Sequence, residues 1–158
     1  MIVTKQAVLV QLRALLQADL DTLTRAAQGA FAAATDPDSK AENKYDTRTL
    51  EASYIARGQA KRVAELQEAV QAFSALSGVE LDEGSPASLG SLVALEGPDG
   101  RDHYFIGPSK GGTEVVHEGR EVIVITPSSP LGQKLVGKRV GDSIALRPGV
   151  TAKVIWVK

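Results

Sequence analysis

Asp38 and Glu42 stand four residues apart in a polar, charge-dense stretch, Asp36-Pro-Asp-Ser-Lys-Ala-Glu-Asn-Lys-Tyr45. Two carboxylates on an exposed tip are hard oxygen ligands suited to magnesium, which keeps several waters and often takes only one or two carboxylates from a given partner. In a two-metal site, one ion activates the attacking water while the other stabilises the leaving oxygen. A tip of this kind has no rigid cage for the ion and no substrate pocket, so by itself it is not a nuclease. The same acids also have a structural reading. Ser39 and Glu42 match a capping box, in which hydroxyl and carboxylate satisfy free backbone N–H groups. Asp38 would then be a favourable charge at a helix N-terminus, worth about 0.3–1 kcal/mol. Asp46 lies one turn beyond Glu42 on the same helical face and is a reserve acid, while Tyr45 either braces the tip, touches substrate or packs in the core.

Other chemistry is excluded or weakly supported. The chain has no cysteine, which removes disulfides, thiolate zinc sites and cysteine nucleophiles. Gly132-Gln-Lys-Leu-Val-Gly137-Lys138 fits most of a phosphate-binding loop, but Arg139 stands where Ser or Thr should reach magnesium, and the intervening residues read as helix. His103 and His117 lack the spacing and partners of a metal site or triad, and a surface or loop position is expected for both.

The elements that must position the tip are two long amphipathic stretches. From about Lys5 to Ala34, Leu9, Leu12, Leu16, Leu20, Leu23, Ala27, Ala30 and Ala34 recur in steps of three and four, which puts them on one face of a helix. About 30 residues at ~1.5 Å each give a helix roughly 45 Å long. The seam shrinks from Leu to Ala toward the tip, so the hairpin can be slim there, with Phe31 its one large apolar residue. Pro37 disfavours helix at Asp36. A second helix is expected from near Ser39 to Leu76, with a seam at Leu50 and Tyr54 and again at Val63, Leu66, Val70 and Phe73. Gly58 between them predicts a soft point or a close helix contact. Together these form an αα-hairpin.

After Ser77-Gly78 the period changes. Runs at 88–96, 102–107, 121–126, 143–147 and 151–157 are short and rich in Val, Ile and aromatics, with Gly, Pro and Asp between them. One short helix fits Pro130 to Val136, and Trp156, alternating with Ile155 and Val157, is expected to pack in the core or on a sheet face. The expected organisation is α+β: an antiparallel coiled-coil helical hairpin over 1–77 with its acidic tip at about 36–46, a linker over 78–87, and a small, mainly antiparallel β domain with one short helix over 88–158.

Lys plus Arg is 18 against 19 Asp plus Glu, so no broad basic nucleic-acid footprint is expected. Met1-Ile-Val-Thr-Lys opens no secretory leader, and no apolar run is long enough to span a bilayer. A soluble, cytoplasmic protein is expected.

Ser129-Pro-Leu-Gly132, followed by Leu135, Gly137-Lys138 and Gly141-Asp142, and the tip from Asp38 through Glu42-Asn43 to Tyr45, resemble the Gre family of bacterial transcript cleavage factors over essentially the whole chain. The resemblance implies a transcription elongation factor that binds RNA polymerase as a monomer. Its coiled coil would enter the secondary channel, and a C-terminal domain of FKBP-like fold would grip the channel rim. It implies docking through Ser129, Pro130, Leu131, Gly132 and Gly137. It further implies that Asp38 and Glu42 help hold a second Mg2+, shared with the polymerase and not bound tightly by the isolated protein, so that backtracked transcript is cleaved. Asn43, Tyr45 and Asp46 would support the tip. Such a factor is not itself an enzyme; it meets nascent RNA and DNA only within the elongation complex, so DNA binding is indirect, and it meets no membrane. In this sequence Glu42-Asn43 sits one place nearer Tyr45 than the family's pattern has it, leaving Ser39 three residues before Glu42 and Asp38 four before it. The alternative is a non-catalytic secondary-channel regulator that competes with cleavage factors or modulates initiation. Lys40, Lys44 and Arg48, four apart, could meet nucleic acid or polymerase, or pair with Glu42, Asp46 and Glu51. A stand-alone prolyl isomerase has only the analogy of fold behind it.

Overall fold

The computed structural model describes residues 3–35 and 48–158, with backbone alone at 48, 49 and 52. The chain runs α1 (Lys5–Thr35), α2 (Arg48–Ser74), β1 (Leu92–Gly97), β2 (Gly100–Ile106), β3 (Glu114–His117), β4 (Arg120–Ile125), α3 (Pro130–Leu135), β5 (Ser143–Arg147) and β6 (Val150–Val157). It is an α+β protein of two long helices followed by a mixed six-stranded sheet. Two compact units divide it, one formed by Met1–Arg13 with Ala72–Lys158 and the other by Ala14–Gln71.

The helical unit follows its apolar period. On α1, Leu16 is buried and Leu20, Leu23, Ala27, Ala30 and Ala34 are half-buried, while most residues between them are exposed. On α2 the inner line is Ser53, Ala56, Gln59, Val63, Leu66 and Ala69. Leu50 and Tyr54 do not belong to it, being 53% and 60% exposed. Ser53, Ala56 and Gln59 on that line are small or polar, so the half-buried side of α2 carries no large apolar side chain there. Gly58 faces open space and makes no close helix contact.

In the sheet unit, Thr4 starts α1 by accepting from the Ala7 backbone N–H (3.2 Å) and the Val8 N–H (3.1 Å) through its hydroxyl and carbonyl oxygens, respectively. Arg13 closes the far end of α2. Its guanidinium donates to the carbonyls of Phe73 (3.1 Å), Ser74 (3.3 Å) and Leu76 (2.6 Å), which no intrahelical N–H can reach.

The strand order is β3-β4-β2-β1-β6-β5. Every pairing is antiparallel except β2 with β4, which run parallel. Central β1 is buried on both faces at Leu92 to Leu95. One face carries Val93, Leu95, Ile106, Ile125, Val154 and Val157 against Leu135 of α3 and Ala87. On the other, Phe105 receives Phe73 from the end of α2, and Val3, Val8, Leu9 and Leu12 are buried in the same unit. At roughly 1.5–3 kcal/mol per large side chain, this two-sided burial is the main source of the unit's stability.

The expected strand boundaries hold within a few residues, with two corrections. Ser88–Ser91 is a turn, closed by Ser91 N–H to Ser88 O (2.9 Å) and Ser88 N–H to Ser91 Oγ (2.9 Å), so β1 begins only at Leu92. The four-residue β3 was not expected at all.

Candidate functional site

The acids proposed for chemistry, Asp38 and Glu42, and their supporting residues Asn43, Tyr45 and Asp46 lie outside the described residues, as does the Ser39 cap. α1 is described to Thr35 and α2 from Arg48, and these acids lie in the sequence between those positions.

The second group, Ser129 to Asp142, is fully described and forms one connected element. Ser129 has extended backbone (φ −66°, ψ 157°) and is the N-cap of α3. Its hydroxyl accepts from Gly132 N–H (3.0 Å) and donates to Thr126 O (2.7 Å). Pro130 fits the first helical turn, where a missing N–H and a fixed φ cost nothing. Gly132 is buried, and a β-carbon there would run into the Thr126 carbonyl. The turn from β4 and the start of α3 are thus locked together by Ser129 and the bare backbone of Gly132.

The far end of α3 is tied down in the same way. Gly137 has φ +87°, which an L side chain rarely adopts. Its N–H donates to Ala87 O (2.7 Å), and Lys138 O accepts from Ala87 N–H (2.7 Å), so this turn is stitched to the strand entry. Asp142 accepts from Arg139 N–H through Oδ2 (2.9 Å), and its backbone carbonyl accepts from Val154 N–H (2.8 Å). The Arg139 guanidinium reaches the Gly84 carbonyl. Leu135 is fully buried and Leu131 packs beside it. Its exposed side chains include Pro130, Gln133, Lys134, Val136, Arg139, Val140 and Asp142.

Of the five docking candidates, Ser129 and Gly132 also shape the start of α3, Leu131 is half-buried, and Pro130 and Gly137 are exposed. Val136 and Val140, 42% and 50% exposed, were not singled out from sequence. The phosphate-loop likeness has no counterpart, because Gly132 N–H is already occupied by Ser129 and Gly132–Leu135 is helix.

The histidines depart from expectation in one case. His103 is not on the surface; it is 5% exposed in β2, its ring 5.5 Å from that of Trp156. Burial, then Arg120 and Arg101, push its pKa below the ordinary value. His117 ends β3, its Nδ1 3.1 Å from Gln11 Nε2. Trp156 packs on the sheet face as expected, with Lys158 Nζ 4.6 Å from its ring centroid. Among the described residues no cluster of His, Asp or Glu is arranged to hold a metal ion, and no helix is long and apolar enough to cross a membrane.

No family model and no curated protein matches the chain. Among solved structures it is similar to the GreA factor homolog 1 (Gfh1) protein of Thermus thermophilus, at 22% identity over 92% of this chain and 94% of that one, with a TM-score of 0.37. It is also similar to Gfh1 of Thermus aquaticus, at 22% identity over 91% and 92% with a TM-score of 0.35. A third structure, described as the transcription factor Gfh1, matches at 24% identity over 98% and 93% with a TM-score of 0.36.

Proposed function

We propose that the protein is a transcription elongation factor of the Gre family, acting on bacterial RNA polymerase rather than as an enzyme in its own right. The sheet unit docks on the rim of the polymerase secondary channel through the element from Ser129 to Asp142. The helical pair delivers the segment bearing Asp38 and Glu42 to the polymerase active centre. There the two carboxylates help hold a second Mg2+, which supplies the activated water that cleaves backtracked transcript. Their hard oxygen donors suit that ion, and the polymerase must provide its remaining ligands.

The observation that carries the reading is the connectedness of the docking element. Residues that the resemblance rests on, far apart in chemistry, turn out to share one hydrogen-bonded structure: Ser129 and Gly132 lock its start, Gly137 and Asp142 its end. A cleavage assay on stalled elongation complexes, with and without the protein and magnesium, tests it. Faster shortening of the transcript supports the reading, and none at saturating protein contradicts it.

One observation favours a second reading, a non-catalytic regulator of the same channel. Glu42 follows Asp38 by four residues where the family's pattern has three, and one residue turns a helical side chain by about 100°. A factor whose acids no longer converge would still displace other channel-binding factors.

A further inference from the structure

Extending the parallel register of β2 and β4 back from His103 opposite Val122 places Arg101 level with Arg120, and Asp102 level with Glu121. Because side chains alternate, both arginines fall on the His103 side of the sheet and both acids on the other. A cleft of about 340 Å³ opens at this end of the strand pair, lined by Arg101, Asp102, His103, Arg120, Glu121 and Ile123.

The cationic side of this cleft is under-satisfied. Arg101 meets Glu96 at 3.5 Å with both side chains about half exposed, and Arg120 has no carboxylate within ion-pair distance among the described residues. Between them His103 is 95% buried, and its Nε2 is out of contact with solvent and has no hydrogen-bond partner. Buried polar atoms are nearly always bonded, so an orphaned ring nitrogen beside two arginines marks this end of the sheet as incompletely satisfied. The neighbouring Trp156 ring supplies no acceptor, since it has only a donor to offer and is itself covered by Lys158.

We propose that this cleft is a binding site for a phosphate group, held by the guanidinium groups of Arg101 and Arg120 beside the buried His103 ring. Arginine forks match the several oxygens of a phosphate better than a lone carboxylate could use them from two strands at once. The opposite wall selects for size. Asp102 and Glu121 place carboxylates there, which disfavour a polyanion such as nucleic acid. A single phosphate monoester, or free phosphate, avoids that wall, and the volume leaves room beside Ile123 for a small organic portion.

The test follows the His103 imidazole signals by NMR in the full-length protein during titration with inorganic phosphate, with adenosine monophosphate as the organic monoester, and with chloride at matched ionic strength. Saturable shifts with phosphate and adenosine monophosphate, absent with chloride, are expected. Tighter binding of the nucleotide identifies an organic monoester as the ligand class, and equal binding identifies phosphate alone. Arg120→Gln, on an exposed side chain, should raise Kd by about tenfold, the loss of one charge-assisted hydrogen bond. Shifts that grow without saturating, that chloride reproduces, or that both Arg101→Gln and Arg120→Gln leave unchanged overturn the proposal.

Discussion

The ring of Phe73, in the last turn of α2, lies 6.3 Å from that of Phe105 in β2, the two planes inclined by 28°. Both side chains are fully buried, so this contact joins the end of the second helix to the sheet. Phe73→Ala should destabilise the protein by about 3–5 kcal/mol, the usual loss for truncating a buried aromatic. Urea unfolding followed by circular dichroism measures it, and a loss below about 1 kcal/mol would show that the contact is incidental.

The cap at Ser129 makes two hydrogen bonds through one hydroxyl. Ser129→Ala should cost about 1–2 kcal/mol, since the Thr126 carbonyl also loses one of its two donors while keeping the Ser129 N–H (3.0 Å). Pro130→Ala, at an exposed position that is already helical, should cost under about 0.5 kcal/mol. Reduced polymerase binding by Pro130→Ala at unchanged stability would place direct docking at that residue; reduced binding by Ser129→Ala alone would trace to the cap.

Tyr54 is 60% exposed, with the Arg57 guanidinium carbon 5.8 Å from its ring centroid. Tyr54→Ala should therefore lower stability by no more than about 1 kcal/mol. Ala56→Leu, on the inner line two residues away, should lower it by about 1–3 kcal/mol through overpacking. The opposite ranking in thermal unfolding would restore Tyr54 to the seam.

His103 should make folding sensitive to acid. Its folded pKa lies below the ordinary value of 6.5, chiefly through burial and then through Arg120 and Arg101. The unfolded chain consequently binds more protons at this site, and stability falls as pH drops below about 6.5 toward the folded value. His103→Gln should flatten that slope between pH 6.5 and lower values, read as the urea midpoint against pH. An unchanged slope would assign the acid sensitivity elsewhere.

Much of this architecture was legible in the sequence, and the exceptions have physical causes. The line from Leu9 to Ala34 reads correctly because its residues recur in steps of three and four and are all buried or half-buried, although Val10, Leu15 and Phe31 are exposed. The seam of α2 misled because the inward residues Ser53, Ala56 and Gln59 are small or polar, whereas the conspicuous Leu50 and Tyr54 point outward. Strand β3 has only Val115 buried among its four residues, too short a pattern to stand out. The parallel pairing of β2 with β4 was hidden because alternation within a strand says nothing about its neighbour's direction. That same pairing brings Arg101, His103 and Arg120 together from separate stretches, so their cleft had no local signature. At the docking element, Ser129-Pro130 announced a helix start, but the need for Gly132 came from the Thr126 carbonyl, which only the folded turn reveals.

The central claim is that the segment between the helices delivers carboxylates to a metal-dependent cleavage step. The most direct measurement is the rate of transcript cleavage in backtracked elongation complexes, comparing the parent with Glu42→Gln and Asp38→Asn. Gln fills a capping-box position nearly as well as Glu, so helix start and polymerase affinity should be preserved in the first variant. A neutral amide is a much poorer magnesium ligand than a carboxylate, so cleavage should fall steeply in both variants while binding is retained. Cleavage by both variants at the parent's rate would contradict the acidic-tip account.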